Sequence, residues 1–187
     1  MTDTDNEKLC WKETARKVAH KTPVFTVTER TSVGPDGQEG IYIVNEAPDW
    51  VIVIPVRGDK FLMVRQWRHG EGALSTEFPG GIIDKGESPE DGARRELREE
   101  TGTEAEKLTL LGRMNPNPAL FNNHVYVFCA EGLHSGGAQD LDSDEFVSYL
   151  EMEKSEVFAK MGTKDFPHAL MASALELYRQ HCETARS

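Results

Sequence analysis

The chain has 187 residues, enough for one domain with its own core and an extension. Hydrophobic residues make up 38% of the chain and charged residues 28%, as is typical of globular proteins that fold in water. The formal net charge of −11 argues against a nucleic-acid partner or an anionic membrane, because either would need a basic surface.

The N-terminal part of the chain is predicted to form an extension made of a helix and a β-hairpin. Within Leu9–His20, apolar residues recur at helical spacing, which predicts a short amphipathic helix. The segments Val24–Arg30 and Ile41–Asn45 are rich in β-branched and aromatic residues. Residues 34–37 between them supply turn chemistry, so these two segments are predicted to pair as a hairpin.

The sequence Ala47-Pro48-Asp49 marks the predicted boundary between the extension, residues 1–48, and the main domain, residues 49–187. Short apolar or β-rich segments predict strands at Trp50–Val56, Phe61–Trp67, Leu74–Phe78, Leu108–Met114, His124–Ala130 and Phe146–Leu150. Capping residues and helical spacing predict helices from Ser88 to Gly102, from Ser155 to Gly162 and from Pro167 to Cys182. Helices that flank a mixed sheet form an α/β sandwich.

The helix inside Gly80–Thr103 has clear ends but an unusual buried stripe. Ser88 is a hydroxyl cap, Pro89 occupies the first helical position, and Gly102 supplies the stop. The stripe should be apolar, yet it runs Ala93, Glu96, Leu97 and Glu100. These glutamates repel each other and Glu99 adds a third carboxylate, so partial burial would require a cation, with Mg²⁺ the preferred oxygen-binding ion. A solvated charged helix is the alternative for such a motif taken alone.

The wider spacing resembles the Nudix box. Gly81, Glu87 and the run Arg95-Glu96-Leu97-x-Glu99-Glu100-x-Gly102 stand at its glycine and charged positions. Thr103 departs from the aliphatic residue that is usual there. The resemblance implies the Nudix fold, an α/β/α sandwich with a mixed β-sheet. It also implies hydrolysis of a diphosphate with Mg²⁺, or with Mn²⁺ as an alternative.

The resemblance also implies roles for the charged residues of the helix. In Nudix hydrolases the residues that match Glu96, Glu99 and Glu100 bind Mg²⁺, and the arginine that matches Arg95 orients them. We therefore place Arg95 and Glu99 in the predicted catalytic group as well. Gly80 lies in the turn before the helix, and its backbone carbonyl is the predicted additional metal ligand. Such metals polarise phosphorus and activate water.

A general base is predicted in the acidic segment that precedes the last strand. Asp144-Glu145-Phe146-Val147 resembles the G/D-E-F-V-E-V segment of ADP-sugar pyrophosphatases, whose glutamate acts as a base or a metal ligand. That role carries over to Glu145. Asp142 and Asp144 are competing candidates, and an acidic loop without a catalytic role is the alternative.

Further segments resemble the ADP-sugar pyrophosphatase subgroup, which acts on ADP-ribose and other nucleoside diphosphate sugars. They are Gln66-Trp67-Arg68, Glu77-Phe78-Pro79-Gly80-Gly81-Ile82-Ile83-Asp84, and Pro118 at fifteen residues after Thr103. The resemblance implies pyrophosphate cleavage of ADP-ribose or a similar substrate such as GDP-mannose. The sequence of residues 115–119 departs from the subgroup and leaves the preferred sugar and base open.

The predicted substrate-binding residues are Arg68, Arg65, Glu77, Tyr42, Phe25 and Pro118. Arg68 and Arg65 are spaced to point to opposite faces of a strand, so only one can face the site, and the subgroup position favours Arg68. Phe25 and Tyr42 stand where relatives carry base-stacking aromatics, with core packing as the alternative. Trp50 and Trp67 are interpreted as structural.

Cysteine content, hydropathy and the hairpin predict the location and the oligomeric state of the protein. Cys10, Cys129 and Cys182 lack the spacing of metal ligands, which predicts reduced thiols and a cytoplasmic protein. No apolar run approaches membrane length and residues 1–8 are acidic and polar, so we expect no membrane span or signal peptide. The spare edges of the hairpin favour a homodimer.

Two other functions remain open from the sequence. The same metal site could serve a dinucleoside polyphosphate or a nucleoside triphosphate, which substrate preference would decide. A ligand-sensing domain without catalysis would require the loss of carboxylates from the box, and none is lost.

Overall fold

The structure is a computed structural model that describes residues 6–185. Backbone contacts divide this part of the chain into two compact units. The first contains the residues up to Pro48 together with Asn115–Asn123, and the second contains Asp49–Met114 and the chain from His124 onwards. The first unit thus takes in a segment beyond the predicted extension, and the role of that extension stays a prediction.

The first unit is built on an antiparallel sheet of three strands in the order β1-β2-β3. These are β1 (Lys12–Lys21), β2 (Thr26–Val33) and β3 (Glu39–Glu46). The predicted hairpin is confirmed as β2 and β3, which pair in continuous register from Thr26 with Glu46 to Val33 with Glu39.

The predicted helix at Leu9–His20 is wrong, because this stretch forms β1. Every residue of β1 is exposed, so no buried face imposes the alternating pattern by which a strand is recognised. Its apolar residues at helical spacing cover no core. Pairing with β2 decides the conformation instead, from Lys12 with Val33 to Lys21 with Thr26.

The second unit is built on a mixed sheet of six strands between helices. Its strands are β4 (Trp50–Arg57), β5 (Lys60–Arg68), β6 (Ala73–Glu77), β7 (Thr103–Met114), β8 (Val125–Ser135) and β9 (Ser148–Glu153). The order is β6-β5-β4-β8-β7, and β9 also pairs with β5. The β4–β8 pair is parallel and the other pairs are antiparallel.

Three helices accompany this sheet: α1 (Pro89–Thr101), α2 (Lys154–Lys160) and α3 (Ala169–Thr184). The predicted α/β/α sandwich with a mixed sheet is confirmed. The last strand begins two residues later than the predicted start at Phe146, and α2 has no side-chain cap from Ser155. Among the described residues, no helix combines the length and the apolar character needed to cross a membrane.

Two hydrophobic cores lie on opposite faces of the sheet, and β4 contributes to both. Ile52 and Ile54 belong to the core that contains residues of α3, while Val51 and Val53 pack with Ala93 and Leu97 of α1. A strand covered on both faces is apolar at nearly every position, which explains its sequence. The packing of α1 on β4 fixes where the glutamates of this helix lie.

The ends of α1 are fixed by local interactions. The Ser88 hydroxyl accepts from the Asp91 N–H at 3.1 Å. Gly102 ends the helix at φ 61°, and a Cβ atom there would lie 2.4 Å from the Gly137 carbonyl oxygen, so only glycine fits. The helix therefore begins and ends at the predicted caps.

Candidate active site

A cleft of about 480 Å³ in the second unit is lined by the residues that were predicted to bind metal and to take part in catalysis. This volume is within the roughly 300–1,000 Å³ of typical small-molecule sites. It is lined by Trp50, Gln66, Arg68, Gly80, Gly81, Ile82, Asp84, Arg95, Glu96, Glu99, Glu100, Asp142 and Glu145. The structure thus brings the predicted metal ligands together with Arg68 and the acidic segment.

Glu96 and Glu100 are carboxylates that burial disfavours as ions. Glu100 is only 4% exposed, and its Oε2 accepts from the Gly80 N–H at 2.9 Å. Burial raises the pKa of Glu100 to about 8, despite that hydrogen bond. Burial also raises the pKa of Glu96 to about 7, although the Arg95 charge partly offsets the effect. Neither carboxyl group has enough positive charge nearby to keep its pKa in the usual range of a glutamate.

Arg95 donates hydrogen bonds to three carboxylates, those of Glu87, Glu96 and Glu99. Its Nη1 donates to Glu96 Oε1 and to Glu99 Oε2, each at 2.9 Å. Its Nε donates to Glu87 at 3.0 Å, and its Nη2 donates to the Ile82 carbonyl at 2.8 Å. These bonds raise the pKa of Arg95, and the Glu87 hydrogen bond contributes most. Arg95 therefore orients Glu96 and Glu99, as the box predicts.

A divalent cation fits this chemistry, although no closed cluster of three His, Cys, Asp or Glu side chains exists among the described residues. Arg95 takes one oxygen each of Glu96 and Glu99, and Gly80 takes one oxygen of Glu100. The other oxygen of each carboxylate has no hydrogen-bond partner among the described residues. These oxygens, on side chains short of positive charge, are the groups that could hold a hard cation.

Two glycines allow the strand-to-helix turn to approach its neighbours, β4 at Gly80 and Glu96 at Gly81. A Cβ atom on Gly80 would lie 2.2 Å from the Val51 carbonyl oxygen, and one on Gly81 would lie 2.5 Å from Glu96 Oε1. Gly80 presents its N–H to Glu100, and the role of its carbonyl as a metal ligand stays a prediction. Gly81 thus makes room for the Glu96 side chain, and Gly80 allows the turn to lie against β4.

Arg68 and Glu77 form a closed ion pair beside the carboxylate set. Arg68 Nε donates to Glu77 Oε1 at 2.9 Å, and Nη2 donates to Oε2 at 2.5 Å. Glu77 is fully buried, which would raise its pKa, but the hydrogen bonds and charge of Arg68 outweigh burial and lower it. Arg68 lines the cleft, whereas Glu77 does not. Both carboxylate oxygens of Glu77 accept hydrogen bonds from Arg68 and hold its guanidinium in place.

The acidic segment is tied to the C-terminal end of α1. The Gln139 side-chain amide donates to the Glu100 carbonyl, and the Asp140 N–H donates to the Glu99 carbonyl. Glu145 Oε2 accepts from the Asp142 N–H at 3.2 Å, and both residues line the cleft. Asp144 is not among the lining residues, so the structure favours Glu145 and Asp142 as the acids that can reach a substrate.

The remaining predicted substrate residues lie elsewhere. Arg65 is exposed and is not part of the cleft lining. Tyr42, Phe25 and Pro118 belong to the first unit. Phe25 packs edge to face on Phe121 at 6.1 Å between ring centroids, and Tyr42 packs on Trp11 at 5.4 Å. Their predicted contacts with substrate stay predictions.

Sequence reasoning missed residues that the fold brings to the cleft. Trp50, interpreted as structural, lines it, and so do Gln66 and Ile82. Trp50 comes to the cleft because it forms an antiparallel bridge with Ile82. That contact joins residues far apart in sequence, and no local pattern signals it.

Together, glutamates on a capped helix and an arginine line one cleft of an α/β/α sandwich, and these groups suit a divalent cation and a phosphate. The chain belongs to the NUDIX domain family, which it matches over residues 47–171. Nudix hydrolases generally use divalent metals.

Two curated relatives and one solved structure resemble the chain. The chain is 33% identical over 144 residues to an ADP-ribose pyrophosphatase of Bacillus subtilis, covering 76% of this chain and 78% of the relative. It is 35% identical over 124 residues to a methanol dehydrogenase activator of Bacillus methanolicus, covering 65% and 67%. A crystal structure of an ADP compounds hydrolase superposes with a TM-score of 0.83 at 24% identity, over 94% of this chain and 95% of that one, and shows the shared fold.

Proposed function

We propose that the protein is a Mg²⁺-dependent Nudix pyrophosphohydrolase that cleaves ADP-ribose or another nucleoside diphosphate sugar, such as GDP-mannose. The products are a nucleoside monophosphate and a sugar phosphate. The observation that carries this proposal is the pair of desolvated glutamates, Glu96 and Glu100, in a cleft with Arg68. The ADP-ribose pyrophosphatase among the relatives supports the substrate class.

The metal-binding role falls to three of the four glutamates of α1. Glu96, Glu99 and Glu100 would hold Mg²⁺, and the Gly80 carbonyl would add a ligand. Bound there, the cation would polarise the diphosphate and lower the pKa of a water molecule. Arg95 keeps Glu96 and Glu99 aimed into the cleft through its two bonds of 2.9 Å.

Substrate binding and proton transfer fall to residues on the other walls of the cleft. Arg68 presents a guanidinium whose orientation Glu77 fixes, and this planar group matches the oxygens of a phosphate. Glu145 accepts the proton of the attacking water, with Asp142 as its neighbour in the same segment. Cleavage breaks one P–O bond of the anhydride, and water supplies the new oxygen.

The test is a substrate panel with purified protein. ADP-ribose, GDP-mannose, a dinucleoside polyphosphate and a nucleoside triphosphate would be incubated with Mg²⁺, with Mn²⁺ and with EDTA. We expect metal-dependent release of nucleoside monophosphate from the sugar diphosphates. Preferred cleavage of the triphosphate or the dinucleoside polyphosphate would select the alternative substrate class, and no turnover of any would indicate a non-catalytic domain.

Assembly and location are part of the proposal. The three-stranded sheet of the first unit has β1 and β3 at its edges, and Ile41 and Ile43 of β3 are 67% and 46% exposed. Such an exposed edge favours pairing with a second copy as a homodimer, which sedimentation analysis would detect. Cys10, Cys129 and Cys182 are free, which supports a cytoplasmic location.

A further inference from the structure

The side chain of Gln139 closes the base of the loop that contains the predicted general base. This acidic loop, residues 139–147, lies in the connection between β8 and β9 and brings Glu145 to the lining of the cleft. Gln139 is its first residue. The Gln139 Nε2 donates to the carbonyl oxygen of Val147, the last residue of the loop, at 3.2 Å. It also donates to the carbonyl oxygen of Glu100 on α1 at 2.5 Å.

One side chain therefore joins both ends of the acidic loop to the helix that carries the predicted metal ligands. The two partners of the Gln139 amide are backbone carbonyls, which accept but cannot donate, so the NH₂ group must face them. This group has two N–H donors, which matches the two acceptors. Val147 and Glu100 are both buried, so each anchor point belongs to the packed part of the molecule.

The interior of the acidic loop is shaped by hydrogen bonds of short range. The Glu145 N–H donates to the Asp142 carbonyl at 3.0 Å, while the Glu145 carboxylate accepts from the Asp142 N–H at 3.2 Å. The Asp140 N–H donates to the Glu99 carbonyl at 3.0 Å. The bonds between Glu145 and Asp142 define the turn, whereas the bonds from Gln139 and Asp140 to α1 determine where this turn lies.

We propose that Gln139 is a positioning residue that holds Glu145 in place relative to the metal-binding glutamates of α1. This inference rests on the proposed function, in which Glu145 accepts a proton from the attacking water. A general base must lie within hydrogen-bond reach of that proton, and a displacement of about 1 Å is enough to lower a rate by roughly 100-fold. Gln139 binds the backbone of Glu100 itself, so one residue links the metal site to the base.

Gln139→Met tests this role, because methionine keeps the length of the side chain and removes both donors. We expect kcat for ADP-ribose to fall by roughly 10- to 100-fold and KM to change by less than about threefold. The rise in melting temperature with Mg²⁺ should be unchanged, because Arg95 and Gly80 hold the glutamate side chains. Gln180→Met is the matched control with wild-type kinetics, since the Gln180 amide donates to Glu176 on the exposed side of α3.

A double-mutant cycle separates positioning of Glu145 from a general loss of stability. In a Glu145→Gln background, Gln139→Met should lower kcat by less than about twofold, because the group that Gln139 positions has already been removed. Multiplied losses in the double variant would overturn the inference, and so would wild-type kcat in Gln139→Met. Circular dichroism establishes that each variant is folded. Gln139→Asn, which keeps the amide on a shorter side chain, replaces Gln139→Met in the cycle if the latter does not fold.

Hydrogen–deuterium exchange tests the inference without turnover. The backbone amides of Asp140, Asp142 and Glu145 are hydrogen-bonded in the structure. Gln139→Met should speed their exchange by roughly tenfold, the effect of losing two hydrogen bonds, and leave the first turns of α1 unchanged. Unchanged exchange in the acidic loop would overturn the inference even if sugar diphosphates are hydrolysed. Faster exchange confined to this loop, with no hydrolysis of any diphosphate by wild-type protein, would refute the proposed reaction while confirming that Gln139 positions the loop.

Discussion

Two buried glutamates, Glu77 and Glu100, lie near the same cleft and differ in their electrostatics. Glu77 meets a dedicated cation, since Arg68 donates to both of its oxygens, and its pKa is lowered. Glu100 receives only the neutral Gly80 N–H, and burial raises its pKa to about 8. The first carboxylate has its counter-charge within the protein, whereas the second still requires one. This difference distinguishes a positioning ion pair from the proposed cation site.

The surroundings of Arg95 show the same shortage of positive charge. Its guanidinium donates to three carboxylates, those of Glu87, Glu96 and Glu99, and gives no hydrogen bond to Glu100. Even with Arg95 in contact, the pKa of Glu96 is raised to about 7. One arginine therefore does not balance the acidic face of α1, and a divalent cation would.

The largest expected effect comes from Glu100→Gln. The amide keeps the shape of the side chain but cannot hold a metal as a carboxylate does, so metal-dependent turnover should fall by at least about 100-fold. Steady-state assays with ADP-ribose and Mg²⁺ check this prediction. Glu90→Gln is the matched control, because Glu90 is exposed on the same helix and pairs with Arg94 outside the cleft. Wild-type turnover in Glu100→Gln would contradict the assigned role.

The next effect concerns pH. Burial raises the pKa of Glu96 to about 7 and of Glu100 to about 8, against 4.5 in the unfolded chain, so the metal-free folded state binds more protons between these values. As far as these groups are concerned, its stability should be greatest below about 4.5 and should fall by several kcal/mol as pH rises towards about 8. Urea unfolding in EDTA measures this loss. Saturating Mg²⁺ should reduce the slope, and identical slopes with and without Mg²⁺ would argue against a metal at these carboxylates.

Glu77→Gln should destabilise the protein at neutral pH. Removing the carboxylate leaves the partly buried Arg68 without its counter-charge, which should cost about 2–3 kcal/mol of unfolding free energy. Urea unfolding at neutral pH measures it. Glu151→Gln, which breaks the more exposed pair with Arg57, should change stability by no more than about 1 kcal/mol. Equal losses in both variants would show that Glu77 is not a special partner of Arg68.

The smallest expected effect comes from Gly81→Ala. The new methyl group would lie 2.5 Å from Glu96 Oε1, so the flexible carboxylate must move away from its place beside Arg95. We expect turnover to fall by roughly tenfold with little loss of stability, because the clash is with the end of a side chain. Gly70→Ala is the control, since its added methyl group would have no neighbour within 4 Å. A Gly81→Ala enzyme as active as this control would remove Glu96 from the proposed site.

The parts of the molecule with strong local signals could be predicted from the sequence. The caps Ser88 and Gly102 fix α1, and the apolar run of β4 reflects burial on both faces. The Nudix fold and the family are confirmed. Strand β1 was missed because an exposed edge strand shows no buried pattern, and only its pairing with β2 makes it a strand.

The site was harder to predict where its contacts depend on tertiary structure. The sequence indicated both Arg68 and Glu77 as substrate ligands, but pairing of β5 with β6 brings them into contact and turns Glu77 into the support of Arg68. Trp50 reaches the cleft only through its bridge to Ile82. Residue type and spacing contain no information about such contacts. The glutamates of α1 were predictable because helical spacing alone places them on one face.

The central claim is that Glu96 and Glu100 lack sufficient counter-charge and that a divalent cation supplies it. The most direct measurement is the change in melting temperature that Mg²⁺ produces at about pH 8 in wild-type protein and in Glu100→Gln. The account predicts a clear rise in wild type. It predicts that metal-free Glu100→Gln is at least as stable as metal-free wild type and gains little from Mg²⁺. An equal Mg²⁺-dependent rise in both proteins, or none in wild type, would contradict it.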